Sequence, residues 1–176
     1  AQKYLNAFLA GELELESGRV FWEEKRVSAS AAARLLSKET AFVDKKSKLI
    51  DTLTLEDNLF LFTDSSFFTR KAKYRQLFLA LREKLHADLP AHGKVSALTG
   101  KERIVAELLK AFAEGKKLVV LDDLSEYLQK QEADEVFSLL FRLRQTGMAF
   151  LVRIGFEDEN IRQISRVTAL RAGRTM

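Results

Sequence analysis

The residues best placed to do chemistry are two adjacent carboxylates, Asp122 and Asp123, which close the apolar run 116-KKLVVL-121. A buried strand ending in a carboxylate can hold a magnesium ion against a phosphate, and a second carboxylate beside it can act as a general base. Such a strand would serve a loop whose glycines let backbone amides close round phosphate while a lysine neutralises its charge. A second group is 98-LTGKE-102, that is Leu98, Thr99, Gly100, Lys101 and Glu102. Thr99 and Glu102 have the spacing of a capping box, which predicts a helix N-terminus here and leaves its dipole facing whatever approaches Gly100.

Composition bounds what these groups belong to. With 47% hydrophobic and 31% charged residues in 176, the chain can build one globular core, and a single domain over residues 1–176 is expected. The absence of cysteine excludes disulfides and thiolate metal sites, and the two histidines, His86 and His92, flank Pro90 without metal spacing. A net charge of +4 is spread among acids, apart from Lys45, Lys46 and Lys48 and from Arg70, Lys71, Lys73 and Arg75. That balance is too weak to predict a nucleic-acid partner, and none is expected. No apolar run approaches the roughly 18 residues of a membrane span, and the start AQKYLNAFLAGELELESG lacks the order of a signal peptide, so the cytoplasm is expected.

The positioning elements follow from periodicity. Short strands are expected at 19–22 and 40–43, about an alanine-rich helix over 28–36. Thr54, with Asp57 three residues later, predicts the start of a helix carrying Leu59, Phe60 and Phe62, followed by Phe67 and Phe68. A helix over 70–87 would align Leu77, Leu81 and Leu85 on one stripe. The helix beginning at Thr99 buries Ile104, Leu108, Ala111 and Phe112 and stops at Gly115. A strand over 117–122, a helix over 132–146 and a strand over 148–154 form a βαβ unit with parallel strands and a right-handed crossover, and a last strand is expected at 166–171. The class is α/β, in which ligands sit at the carboxyl ends of the strands, where Asp122 and Asp123 fall. Structure alone would also account for parts of this pattern: the aspartates as a turn cap, Thr99 and Glu102 as a simple helix cap, the phenylalanines as core, and residues 70–75 as a solvated face.

Taken in order and spacing, 9-LAGELELESGRVFWEEKRV-27, 53-LTLEDNLFL-61, 98-LTGKER-103, 118-LVVLDD-123 and 164-ISRVTALRAGR-174 resemble the nucleotide-binding cassette of ABC transporters, especially the tandem-cassette ATPases of bacterial sugar importers. The resemblance implies a P-loop, RecA-like parallel sheet lacking its first strands, with a helical subdomain at about 54–112. It implies ATP and magnesium as cofactors, Asp122 as the Walker B aspartate, Asp123 at the catalytic glutamate position, Lys3 near the phosphate-loop lysine and Lys45 at the magnesium-sensing glutamine. Leu98, Thr99, Gly100, Lys101 and Glu102 would form the signature turn facing a nucleotide on another cassette. The implied partners are that cassette, as a homo- or heterodimer, and a membrane permease, with the chain peripheral at the inner face of the membrane and its exposed phenylalanines marking the docking groove.

The departures from the family pattern are as informative. Ala1, Gln2, Lys3 and Tyr4 stand where the family has Gly-Lys-Ser-Thr, and a one-residue slip restores the lysine but not the hydroxyl. Lys45 puts a cation where a metal ligand belongs, Asp123 is a methylene shorter than glutamate, Gln129 replaces the aspartate of the dimer-contacting loop, Gly155 replaces the switch histidine, and Lys101 replaces a glycine. Together these predict a catalytically degenerate cassette that acts as a structural or regulatory partner. The alternative expectation is a piece of a functional ATPase whose phosphate loop lies outside this sequence.

Overall fold

The structure, a computed structural model, describes residues 2–44, 47–60, 71–121, 124, 128–154, 161–162, 164–171 and 174–175. It divides into two compact units, one of Ala1–Thr40 with Ile164–Met176, the other Ala41–Gln163.

In the first unit helix α1, Gln2–Leu9, packs on helix α2, Ala29–Glu39. Ser28 caps α2 by accepting from the Ala31 amide at 3.3 Å. Gly11 follows α1 with φ 76°, and a Cβ there would lie 2.3 Å from the carbonyl oxygen of Ala33, so close helix approach requires glycine. Strands β1, Val20–Trp22, and β2, Lys25–Val27, form an antiparallel hairpin. Its turn residues Glu23 and Glu24 both take positive φ (47° and 65°), the twist that a two-residue hairpin needs. Periodicity missed β2 because two of its three residues are exposed cations.

The second unit holds a sheet in the order β3-β4-β5, with β3 Thr40–Val43, β4 Leu118–Leu121 and β5 Ala149–Val152. Strands β4 and β5 are parallel in the register Leu118↔Ala149 to Leu121↔Val152. The helices are α3, Leu55–Phe60; α4, Lys71–Lys84; α5, Gly100–Ala113; and α6, Lys130–Arg144. Helix α5 packs against both α3 and α6, and α6 connects β4 to β5 as the predicted βαβ unit requires. The expected α4 stripe is corrected: Leu77 is 43% exposed, and the buried positions are Tyr74, Phe78 and Leu85. Spacings of four and seven residues set these three on one face, where the Tyr74 ring meets Phe60 with centroids 5.6 Å apart. The last strand is also shorter than expected: β6 is Leu170–Arg171, paired antiparallel with β7, Arg174–Thr175.

Among the described residues β5 has a strand on one side only. The Ala149 and Arg153 amides donate to Lys117 and Leu121 of the β4 side at 2.8 and 2.9 Å. Alternation along a parallel ladder then directs Leu151 toward β4 as well, and turns the N–H groups of Phe150 and Val152 to the open edge. Proline at position 152 therefore removes no ladder bond, whereas proline at 151 does. We expect Val152→Pro to lower Tm by less than about 2 °C, and Leu151→Pro by about 4 °C or more, although Leu151 is 40% exposed and the less buried of the two. Equal effects in a calorimetric scan would contradict this assignment of the edge.

Candidate functional site

Strand β4 is apolar throughout and, after the half-buried Leu118, has Val119, Val120 and Leu121 all inside. Asp122 and Asp123 follow it in the sequence but lie outside the described residues, as do Lys45 and Gly155. Lys3 is exposed on α1 in the first unit. The signature-like residues are described in full.

Leu98 is buried and anchors the turn before α5. Thr99 is the N-cap: its Oγ1 accepts from the Glu102 amide at 3.3 Å, and the Glu102 carboxylate accepts from the Thr99 amide at 2.8 Å. This reciprocal cap, worth about 1 kcal/mol, forms as the Thr99–Glu102 spacing predicts. It also occupies the Thr99 hydroxyl oxygen and amide within the helix. Gly100 opens α5 with nothing within 4 Å of where a Cβ would stand.

Lys101 turns away from that open position. Its Nζ donates to Asp88 Oδ2 and Glu135 Oε2, each at 2.6 Å, joining α5 to the segment after α4 and to α6. The hydrogen bond to Asp88, then that to Glu135, holds the ammonium well above the ordinary lysine pKa, against the opposing effect of burial. Arg142 of α6 makes a second tie to the same segment, donating to the carbonyls of Leu85 at 2.6 Å and His86 at 3.3 Å. Lys101, Asp88, Glu135 and Arg142 line a cleft of about 310 Å³.

Residues 47–50, which follow β3 beyond the undescribed Lys45 and Lys46, are anchored from two helices. Glu107 of α5 is 6% exposed and accepts from the Lys48 amide at 2.8 Å. Asn58 of α3, equally buried, accepts from the Ile50 amide at 2.7 Å and donates to the carbonyls of Ile50 and Thr54, each at 3.0 Å. Thr54 caps α3 through the Asp57 amide at 3.2 Å, as its spacing predicts, and Arg103 of α5 pairs with Asp51 at 2.7 Å. Sequence reading did not single out Glu107 or Asn58. The signal for Glu107 was a lone carboxylate beside the apolar positions 104, 108 and 111 of α5. Burial raises the Glu107 pKa, only partly offset by hydrogen bonds from Ser47 and the Lys48 backbone. Among the described residues no cluster of three metal-ligating side chains occurs, and no helix is long and apolar enough to cross a membrane.

Residues 4–126 match the ABC transporter family. The chain is similar to the galactose/methyl galactoside import ATP-binding proteins of Yersinia pestis, at 24% identity over 169 residues, and of Escherichia coli, at 25% over 170 residues. Both matches cover 94% of this chain but 33% of the relative, so the chain spans about a third of their length. In fold it is similar to an ATP-binding cassette of an ABC transporter solved in its ADP conformation, with a TM-score of 0.77 at 19% identity over 99% of this chain and 74% of that one. A component of an ABC transporter complex from Clostridium perfringens superposes with a TM-score of 0.71 at 13% identity, over 91% of this chain and 65% of that one. The predicted α/β class is therefore that of the ATP-binding cassettes.

The raised pKa of Glu107 sets a pH dependence. With the folded value above the unfolded one, near 4.5, the native state holds the proton more tightly. The group's favourable contribution is then fully present below about pH 4.5 and is lost as pH rises through the folded value. Glu107→Gln keeps the acceptor for the Lys48 amide and removes the titration. Urea unfolding should show the variant gaining on the wild type between pH 4.5 and 7; a difference that stays constant over that range would refute the assignment.

Proposed function

The chain belongs to the ABC transporter family, and from that premise we propose that it is a catalytically degenerate ATPase-like cassette, a structural or regulatory partner in an importer of the sugar type. The observation that carries this reading is the signature-like turn. The Lys101 ammonium, which stands where the family has a glycine, is engaged by Asp88 and Glu135, beside a Thr99 whose hydroxyl oxygen accepts from the Glu102 amide. The fit to ATP and magnesium is correspondingly poor: Gly100 keeps an open approach, but the cation beside it is held by two carboxylates of this chain. The replacements at Gln2, Tyr4, Lys45, Asp123, Gln129 and Gly155 point the same way. In this role the chain pairs with another cassette or with a membrane permease at the inner face of the membrane, its helical subdomain spans about 54–112, and its partner supplies the ATP turnover.

A second reading is favoured by one observation, that matched cassettes extend beyond the part this chain covers. Here the chain is a piece of an ATP-hydrolysing subunit, with Asp122 holding magnesium, Asp123 as base and the phosphate loop elsewhere. Calorimetric titration with magnesium-ATP separates the two. The first reading expects no saturable heat from the folded protein up to millimolar nucleotide, and no difference between wild type and Asp122→Ala. Saturable binding that the variant loses would overturn it. Binding without phosphate release would identify a nucleotide sensor, and release abolished by Asp123→Asn would establish the enzymatic reading.

A further inference from the structure

We propose that Lys101 is a latch, a positioning residue whose ammonium ties the first turn of α5 to α6 and to the segment following α4, and so holds the Thr99–Gly100 turn in one pose. The geometry is that of one cation bridging two anions whose side chains are more exposed than its own. The Lys101 side chain is 14% exposed, whereas Asp88 and Glu135 are 76% and 44% exposed. The lysine side chain as a whole is the least exposed member of the triad, and its ammonium is bonded to both carboxylates.

The partners lie 13 and 34 residues away, so neither contact serves α5 as a local helix pair. Each belongs to a different element, and one lysine therefore fixes the start of α5 against two neighbours at once. The charged side chains that line the cleft with Lys101 are Asp88 from the α4 side and Glu135 and Arg142 from α6, and His86 lines it as well. Arg142 is spent on the carbonyls of Leu85 and His86, which fixes the chain that carries Asp88. His86 itself has positive φ, 45°, and turns that chain off the end of α4 toward Lys101. The ties at Arg142 and Lys101 thus act in series: one sets where Asp88 stands, and the other uses it.

The turn at Thr99–Gly100 immediately precedes Lys101, so a motion of α5 that presented this turn differently must first part the ammonium from its carboxylates. Both carboxylates are solvent-accessible and can be neutralised without opening the core. The latch stands on this geometry alone; only its bearing on nucleotide rests on the function proposed above.

The test uses three proteins: Lys101→Met, the pair Asp88→Asn with Glu135→Gln, and all three changes together. Amide hydrogen exchange is followed by NMR at Glu102 and Arg103, which bond to Thr99, and at Leu109 deep in α5 as an internal reference. Exchange at 102 and 103 should rise about tenfold in each of the first two proteins, no further in the third, and remain unchanged at 109. A uniform rise along α5 would show general destabilisation and overturn the latch, as would additive effects or no change. The carboxylate variants lie on the surface, so this arm survives even if Lys101→Met does not fold. Saturable binding of magnesium-ATP by the wild type would overturn the functional reading and leave this result untouched.

Discussion

The second unit depends on burying α5 along most of its length. Ile104, Val105, Ala106, Leu108, Leu109 and Ala111 are all inside, and each large side chain contributes roughly 1.5–3 kcal/mol by leaving water. That packing also carries Glu107 inside, and a buried carboxylate must find donors. It takes the Lys48 amide and the Ser47 side chain. The conformation of the loop after β3 is therefore dictated by a helix some sixty residues away in sequence. Asn58 reinforces it by presenting an acceptor and a donor to a single residue, Ile50. Burying α5 thus fixes the loop as well as the core, and the Lys48 ammonium, 5.3 Å from the Phe42 ring centroid, settles where that fixed loop puts it.

The start of α5 shows how much of a motif local stability accounts for by itself. Any helix N-terminus leaves amides without intrahelical partners, and Thr99 with Glu102 satisfies two of them, their own, whether or not an anion is ever bound. Leu98 is needed for the core irrespective of function. Selection for stability alone would preserve these positions. Lys101 differs, because ion pairs with carboxylates as exposed as Asp88 and Glu135 contribute only about 0–1 kcal/mol each. Its two contacts are better understood as fixing position than as supplying stability.

What could be read from the sequence is what local rules determine. The Thr99–Glu102 box, the Thr54 cap, the stop at Gly115 with φ 71° and the β4-α6-β5 unit with its parallel pairing all follow from spacing over a few residues. The ABC resemblance was legible at 24–25% identity because several weak motifs fall in the right order. The contacts that organise the site were not legible, because Glu107 meets Lys48 across 59 positions and Lys101 meets Glu135 across 34. The α4 stripe failed for a related reason: leucine spacing alone did not reveal that Tyr74 and Phe78 would compete for the same buried face and leave Leu77 outside. The roles expected of Asp122, Asp123 and Lys45 fall outside the described residues.

The sheet shows where this architecture is firm and where it is loose. Parallel strands are ordinarily covered on both faces, and β4 meets that requirement at Val119, Val120 and Leu121. Strand β5 does not: Ala149 and Leu151 are exposed, and Phe150 and Val152 are only half-buried. Nothing in AFLV supplies the charge or proline that usually guards an open edge. Burial therefore falls from the α5–β4–α6 centre outward to β5, and local opening is cheapest at that edge, where few apolar contacts must be broken. The ties made by Lys101 and Arg142 lie within the helical layer and do not reach β5, so they cannot compensate for its exposure. Helix α6 packs on β5 as well as on α5, and through it an opening of that edge could reach the signature-like turn.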